Sequence, residues 1–154
     1  MAKPRSDDLT VTPDHLSTDD LKEEVKAAED QAVPKEDDPK LKPVYTFNIE
    51  WTDPTGHVWS GKFTNKILTV GERQSAGSMR ARMSGGMPEN SLDALTSELN
   101  LITSHMAYSL GAVEDRPAWA KDLRELSYPK LVQAIYREVQ SHETTFHGLG
   151  QDQN

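Results

Sequence analysis

The sequence predicts an α+β fold: a small antiparallel β-hairpin or meander, then three or four helices, preceded by an extended, intrinsically disordered N-terminal arm. Three observations carry this reading. Tyr45, Phe47, Ile49 and Trp51 alternate with Thr46, Asn48 and Glu50, the period of a half-buried strand. Leu92, Leu95, Leu99, Ile102, Met106 and Leu110 recur every three or four residues, the period of an amphipathic helix. Residues 1–43 hold 12 acidic and 7 basic residues, 5 of the 9 prolines and no aromatic.

The arm, 1–43, has too little apolar surface to offset the entropy of ordering it, so it is expected to be disordered when free. Within it, Ser17-Thr18-Asp19-Asp20 precedes Leu21, Val25 and Ala28 at helical spacing. Thr or Asp can cap such a helix and the acidic first turn suits its dipole. A helix of roughly eleven residues is marginal alone, so this one is expected to form on a partner; the alternative is a solvated acidic tail with no partner. All ten aromatic residues fall in 44–154. The folded domain is therefore placed at 44–148, with 149–154 as a frayed tail.

The first strand is predicted at 44–52. Thr52-Asp53-Pro54-Thr55-Gly56 supplies turn chemistry, with Asp at the start, Pro at the second corner and Gly closing. A second strand is predicted at 57–64, with Gly61 as a candidate bulge. A third short run, Ile67-Leu68-Thr69-Val70, is predicted as a strand at 67–70, ended by Gly71.

After Gly71 the period lengthens. Ala76, Met79 and Met83 share a face of a weak helix at 72–84, which Ser84-Gly85-Gly86-Met87-Pro88 breaks. The strongest helix is predicted at 91–110, stopped by Gly111. Pro117 can start a short helix at 117–126 with Trp119, Leu123 and Leu126 inward. The last helix, 129–146, has Leu131, Ile135, Val139, His142 and Phe146 as its stripe. Roughly 105 residues can bury a modest core.

Composition excludes several function classes. Lys+Arg is 17 and Asp+Glu 25, a net charge of −8. Neutralising phosphates takes Lys and Arg, so nucleic acid is not an expected partner, and an anionic membrane surface is not one either. With no Cys, disulfide scaffolds, thiol catalysis and cysteine-ligated metal centres fall away together. No run approaches 18 apolar residues.

Catalytic motifs fail on spacing. Gly56-His57-Val58-Trp59-Ser60-Gly61-Lys62 matches seven positions of a phosphate-binding loop, but Phe63 stands where Ser or Thr must reach magnesium. The surrounding strand pattern also lacks the helix such a loop requires. In His142-Glu143-Thr144-Thr145-Phe146-His147 the histidines are five apart, about 140° around a helix, whereas a zinc pair needs i and i+4. No Gly-x-Ser-x-Gly elbow is present. No catalytic, cofactor-binding or metal-binding residue is assigned, and no enzyme activity is expected.

Two features suggest protein binding instead. Tyr45, Trp51, Trp59 and Phe63 concentrate on a hairpin whose two faces three small helices cannot both cover. Trp51 or Trp59 is therefore a candidate to face a partner; the alternative is that both are core. Met79 and Met83, beside Arg80 and Arg82 and extended by Arg73 and Met87, form a cationic, adaptable patch in an acidic protein. Met and Arg are both favoured at interfaces; the alternative is an ordinary amphipathic helix with exposed Arg.

A resemblance adds to this reading. It is carried by Tyr45-Thr-Phe-Asn-Ile-Glu-Trp51, Gly61-Lys-Phe-Thr-Asn-Lys-Ile-Leu-Thr-Val-Gly71, Ser91-Leu-Asp-Ala-Leu-Thr-Ser-Glu-Leu-Asn100, Arg116-Pro-Ala-Trp-Ala120 and Ile135-Tyr-Arg-Glu-Val-Gln-Ser-His-Glu143. Over 44–148 these resemble a group of small tailed-bacteriophage proteins of virion assembly, of the tail-assembly-chaperone-like and minor structural types. The resemblance implies a non-enzymatic virion structural protein: a small accessory, cement or decoration component, assembled in the host cytoplasm and located in the virion. It implies a larger capsid or tail protein as partner, with neighbouring copies of the chain itself in an oligomeric assembly. The alternative is a tail assembly chaperone that binds unassembled tail protein and is absent from the mature particle. A metal-dependent hydrolase is an outside reading that bound metal would favour.

Overall fold

The computed structural model describes residues 37–148. Two strands, β1 (Val44–Thr52) and β2 (Val58–Lys66), precede three helices, α1 (Val70–Met83), α2 (Ala94–Ser109) and α3 (Pro129–Gly148). The α+β architecture is as the sequence predicts. The expectations for residues 1–36, including the helix after Ser17, and for the tail at 149–154 lie outside the described residues.

The folded unit starts at Asp37, earlier than the boundary expected at Pro43. Asp38 caps a 3-10 turn at Pro39–Leu41 by accepting from the Lys40 N–H at 2.9 Å. The Lys40 ammonium then donates to the Ser141 hydroxyl on α3 at 2.7 Å and lies 5.5 Å from the Tyr45 ring centre. These local bonds tie down a segment whose composition reads as arm.

β1 and β2 pair antiparallel, with Phe47 opposite Phe63, Ile49 opposite Gly61 and Trp51 opposite Trp59. The turn between them follows from its sequence. The Gly56 N–H donates to Asp53 O at 3.0 Å across Pro54 and Thr55, and Gly56 takes φ +88°, where a side chain is strained. The Asp53 carboxylate accepts from the Thr55 hydroxyl at 2.5 Å, the Thr55 N–H at 2.8 Å, and the His57 N–H and Trp59 indole N–H at 3.1 Å each. Those bonds, the Thr55 hydroxyl first, hold its carboxyl well below the usual carboxylate range against the opposing effect of burial. A lowered pKa in the folded state stabilises the fold above the unfolded pKa of about 3.9 and ceases to do so as pH falls toward the folded value. Asp53→Asn is therefore expected to melt lower than the parent at pH 7. The gap between the two should narrow progressively below about pH 4; a gap that stays constant across that range would remove the carboxylate from the account.

No bulge occurs at Gly61; the register runs through it unbroken. Glycine is required there for another reason. A Cβ at Gly61 would fall on the Pro117 ring, so the segment Pro117–Ala120 rests on bare β2 backbone. Trp119 anchors that segment by donating its indole N–H to Ser60 O at 3.0 Å.

The strand expected at 67–70 is absent. Thr69 and Glu72 form a reciprocal capping box, the Glu72 N–H donating to Thr69 Oγ1 and the Thr69 N–H to Glu72 Oε2. That box starts α1 at Val70 and overrides the β-branched run before it. The sheet is extended instead by a single bridge, Asn65 with Leu110, where the Gly111 N–H donates to Thr64 O at 2.7 Å.

Asp93 caps α2 through the Thr96 N–H at 2.9 Å, so the helix begins at Ala94, three residues later than expected. Its predicted stripe is buried only from the middle onward. Ile102, Met106 and Leu110 are in the core, Leu99 is half-buried and Leu95 is 45% exposed. The helix expected at 117–126 is two separate 3-10 turns, Ala118–Ala120 and Leu123–Glu125. Trp119 is held against β2, and the Asp122 side chain restarts the chain by capping the Arg124 N–H at 2.9 Å.

The core lies between the inner face of the hairpin, α2 and α3, with Leu131, Ile135 and Val139 fully covered. His142 completes the α3 stripe. Its Nε2–H donates to Lys42 O at 2.8 Å and its Nδ1 accepts from the Asn65 amide at 2.9 Å. One imidazole thus joins α3, β2 and the chain entering β1.

Candidate functional site

The two halves of the sequence-derived site separate in the structure. Trp51 and Trp59 share the inward phase of the hairpin with Phe47 and Phe63. Both indoles are half-buried, 5.4 Å and 5.9 Å between ring centres from Tyr128, and Trp59 is also 5.4 Å from Trp119. With its N–H given to Asp53, Trp59 is committed to the domain. Both side chains pack against the core, which favours the alternative that both are core over a partner-facing Trp. All the large aromatics of the hairpin lie on one face, and α2, α3 and the 117–128 segment suffice to cover a single face.

Of Met79, Arg80, Arg82 and Met83, the two methionines share one surface and the two arginines lie away from it. α1 buries fully only Ala76, so most of its circumference is available. Met79 and Met83, one turn apart, line two adjoining hollows of about 200 Å³ each between α1 and the 113–129 segment. The hollows share Thr103, Leu123 and Arg124, which makes them one groove. Leu99, Leu126 and Val132 add apolar wall at the Met83 end. Arg116 and Lys121 add charge at the Met79 end, with Asp122 the acidic residue among its lining. Burial pushes the Arg116 guanidinium down from its ordinary pKa, opposed by Asp122, and its Nε donates to Gly111 O at 3.2 Å.

Arg80 faces the other side of α1. It pairs with Glu89 beside a hollow of about 350 Å³ that Met87 and Leu92 also line. Arg82 is exposed. The Asn100 amide nitrogen, buried between this hollow and the groove, has no hydrogen-bond partner among the described residues.

Sequence reasoning missed Arg116, Lys121 and Arg124 as members of the site. Their signal was three cations in nine residues of an acidic chain, beside Trp119 and Leu123. Chemically the groove offers adaptable thioether and leucine walls with a cationic rim, which suits an apolar side chain flanked by carboxylates.

The histidines sit elsewhere. His142 spends both ring nitrogens internally, while His147 is exposed at the end of α3 with its Nε2 3.4 Å from Arg73. His105 Nε2 is 2.7 Å from Glu143. Among the described residues no group of three or more His, Cys, Asp or Glu is placed to hold a metal. The segment with phosphate-loop spacing, Gly56–Lys62, is the hairpin turn and β2, with strand where a phosphate loop continues into helix. No family model matches the chain, and neither a curated protein nor a solved structure matches it.

Proposed function

We propose that the chain is a non-enzymatic structural protein of a tailed-bacteriophage particle: a small accessory, cement or decoration component that grips a larger capsid or tail protein. The groove along α1 carries this reading. Met79 and Met83 in a cation-rimmed cleft, on a helix that gives only Ala76 wholly to the core, serve binding better than they serve the stability of the domain. The sequence resemblance over 44–148 supplies the virion context.

The first test is the presence of the protein in purified particles. The second pairs incorporation with folding. Arg124→Glu and Met83→Asp change exposed or half-buried positions, so their far-UV circular dichroism melts should stay near the parent's. A central interface anchor is worth about 2 kcal/mol or more, and roughly thirtyfold weaker incorporation is expected from each variant. Normal incorporation of both would move the interface off this groove. A protein missing from particles yet bound to free tail protein would replace the proposal with the chaperone reading.

A further inference from the structure

We infer that β1 is the docking edge for a second copy of this chain, the two β1 strands pairing antiparallel about Asn48. The inference stands independently of the virion reading.

The two edges of the sheet are treated differently. The outer edge of β2 is occupied, Ser60 O by the Trp119 indole and Thr64 O by the Gly111 N–H. On β1 the hydrogen-bond phase is fixed by the pairs at each end. The Ile67 N–H donates to Pro43 O, and the Asp53 N–H to His57 O, both at 2.9 Å. Tyr45, Phe47, Ile49 and Trp51 therefore turn their backbone groups toward β2. Val44, Thr46, Asn48, Glu50 and Thr52 turn theirs away, and among the described residues nothing receives them.

Edge strands in soluble proteins are usually defended by prolines, bulges, lysines or short length. β1 carries little of this defence: it is nine residues long, regular, free of Pro, Lys and Arg, and its one charge is Glu50. The outward row is exposed and polar beyond Val44, so a partner would extend the sheet rather than cover its face.

The pattern of side chains selects the occupant. A two-fold axis at Asn48 sets Val44 against the partner's Thr52, Thr46 against the partner's Glu50, and Asn48 against its mate. On the covered face Tyr45 meets the partner's Trp51, and Phe47 the partner's Ile49. Glu50 is the single charge in the strand. A parallel in-register pairing, or an antiparallel one centred on Glu50, would oppose two carboxylates; the Asn48 axis avoids this and overlaps the full strand.

The full chain should sediment as a concentration-dependent dimer, and the Thr46, Asn48 and Glu50 amides should exchange more slowly as concentration rises. Asn48→Pro removes an N–H that β2 does not use, and proline is tolerated at such an edge position. It should give a monomer with the parent's far-UV spectrum. Two further variants test the register at an exposed residue. Thr46→Glu faces Glu50 of the other copy twice and should weaken the dimer roughly tenfold, whereas Thr46→Lys should tighten it. A monomer at every concentration would overturn the inference. So would a dimer indifferent to Asn48→Pro, or equal effects of Thr46→Glu and Thr46→Lys.

Discussion

Phe63→Ala is expected to cost about 3–5 kcal/mol, against roughly 5–15 kcal/mol for the stability of a domain of this size. Phe63 is 1% exposed at the centre of β2. Its ring lies 5.8 Å from Phe47 across the hairpin and 5.8 Å from Trp119 on the segment that crosses β2. Truncation removes the shared contact of both and leaves a cavity walled by rings that cannot all close on it. Leu99→Ala should cost less than half as much, since Leu99 is half-buried and its loss opens onto the groove instead of creating a void. Urea unfolding of the two variants checks this; equal losses would mean that the packing is centred on α2 and not on the sheet.

His142→Leu is the second large effect, with an expected loss of about 2–4 kcal/mol. The replacement keeps the apolar stripe of α3 filled but removes the bond to Lys42 O and strands the Asn65 amide in the interior, at about 1–3 kcal/mol for a buried group left unpaired. Asn65 Oδ1 already has no partner among the described residues, so the amide cannot be satisfied by rotating. Amide exchange should rise at Leu41 and Lys42, whose N–H groups close the turn before β1. Replacing Asn65 by Leu as well should recover part of the loss, because both members of one buried pair are then apolar. If His142→Leu melts with the parent, the imidazole is not what fastens the entering chain.

How far these features could be read in the sequence depends on the range of the interaction behind them. The hairpin phase was plain in the alternation, and the same alternation already put Trp51 and Trp59 in step with Phe47 and Phe63. That parity favours the reading in which both tryptophans are core. At 67–72 two local signals overlapped, a β-branched run and a Thr-x-x-Glu box, and the box prevailed because it satisfies backbone donors at the start of α1. The break-up of 117–126 was illegible, since it depends on Pro117 and Trp119 meeting Gly61 and Ser60 far away in the chain. The site divides in the same way. The spacing of Met79 and Met83 announces a shared helix face, but only the fold brings Arg116, Lys121 and Arg124 to that face.

The aromatic residues have a consequence for how this protein is followed optically. Ring contacts run without a gap from Phe146 through His142, Tyr45, Phe47, Phe63, Trp119, Trp59 and Tyr128 to Trp51. All three fluorophores that dominate intrinsic emission sit in this one run, and α1 contains no aromatic residue at all. Tryptophan emission and near-ultraviolet dichroism therefore report on the hairpin and the segment laid across it. Detachment of α1, with the loss of the groove it forms, would leave both signals almost untouched while the helical far-ultraviolet signal fell.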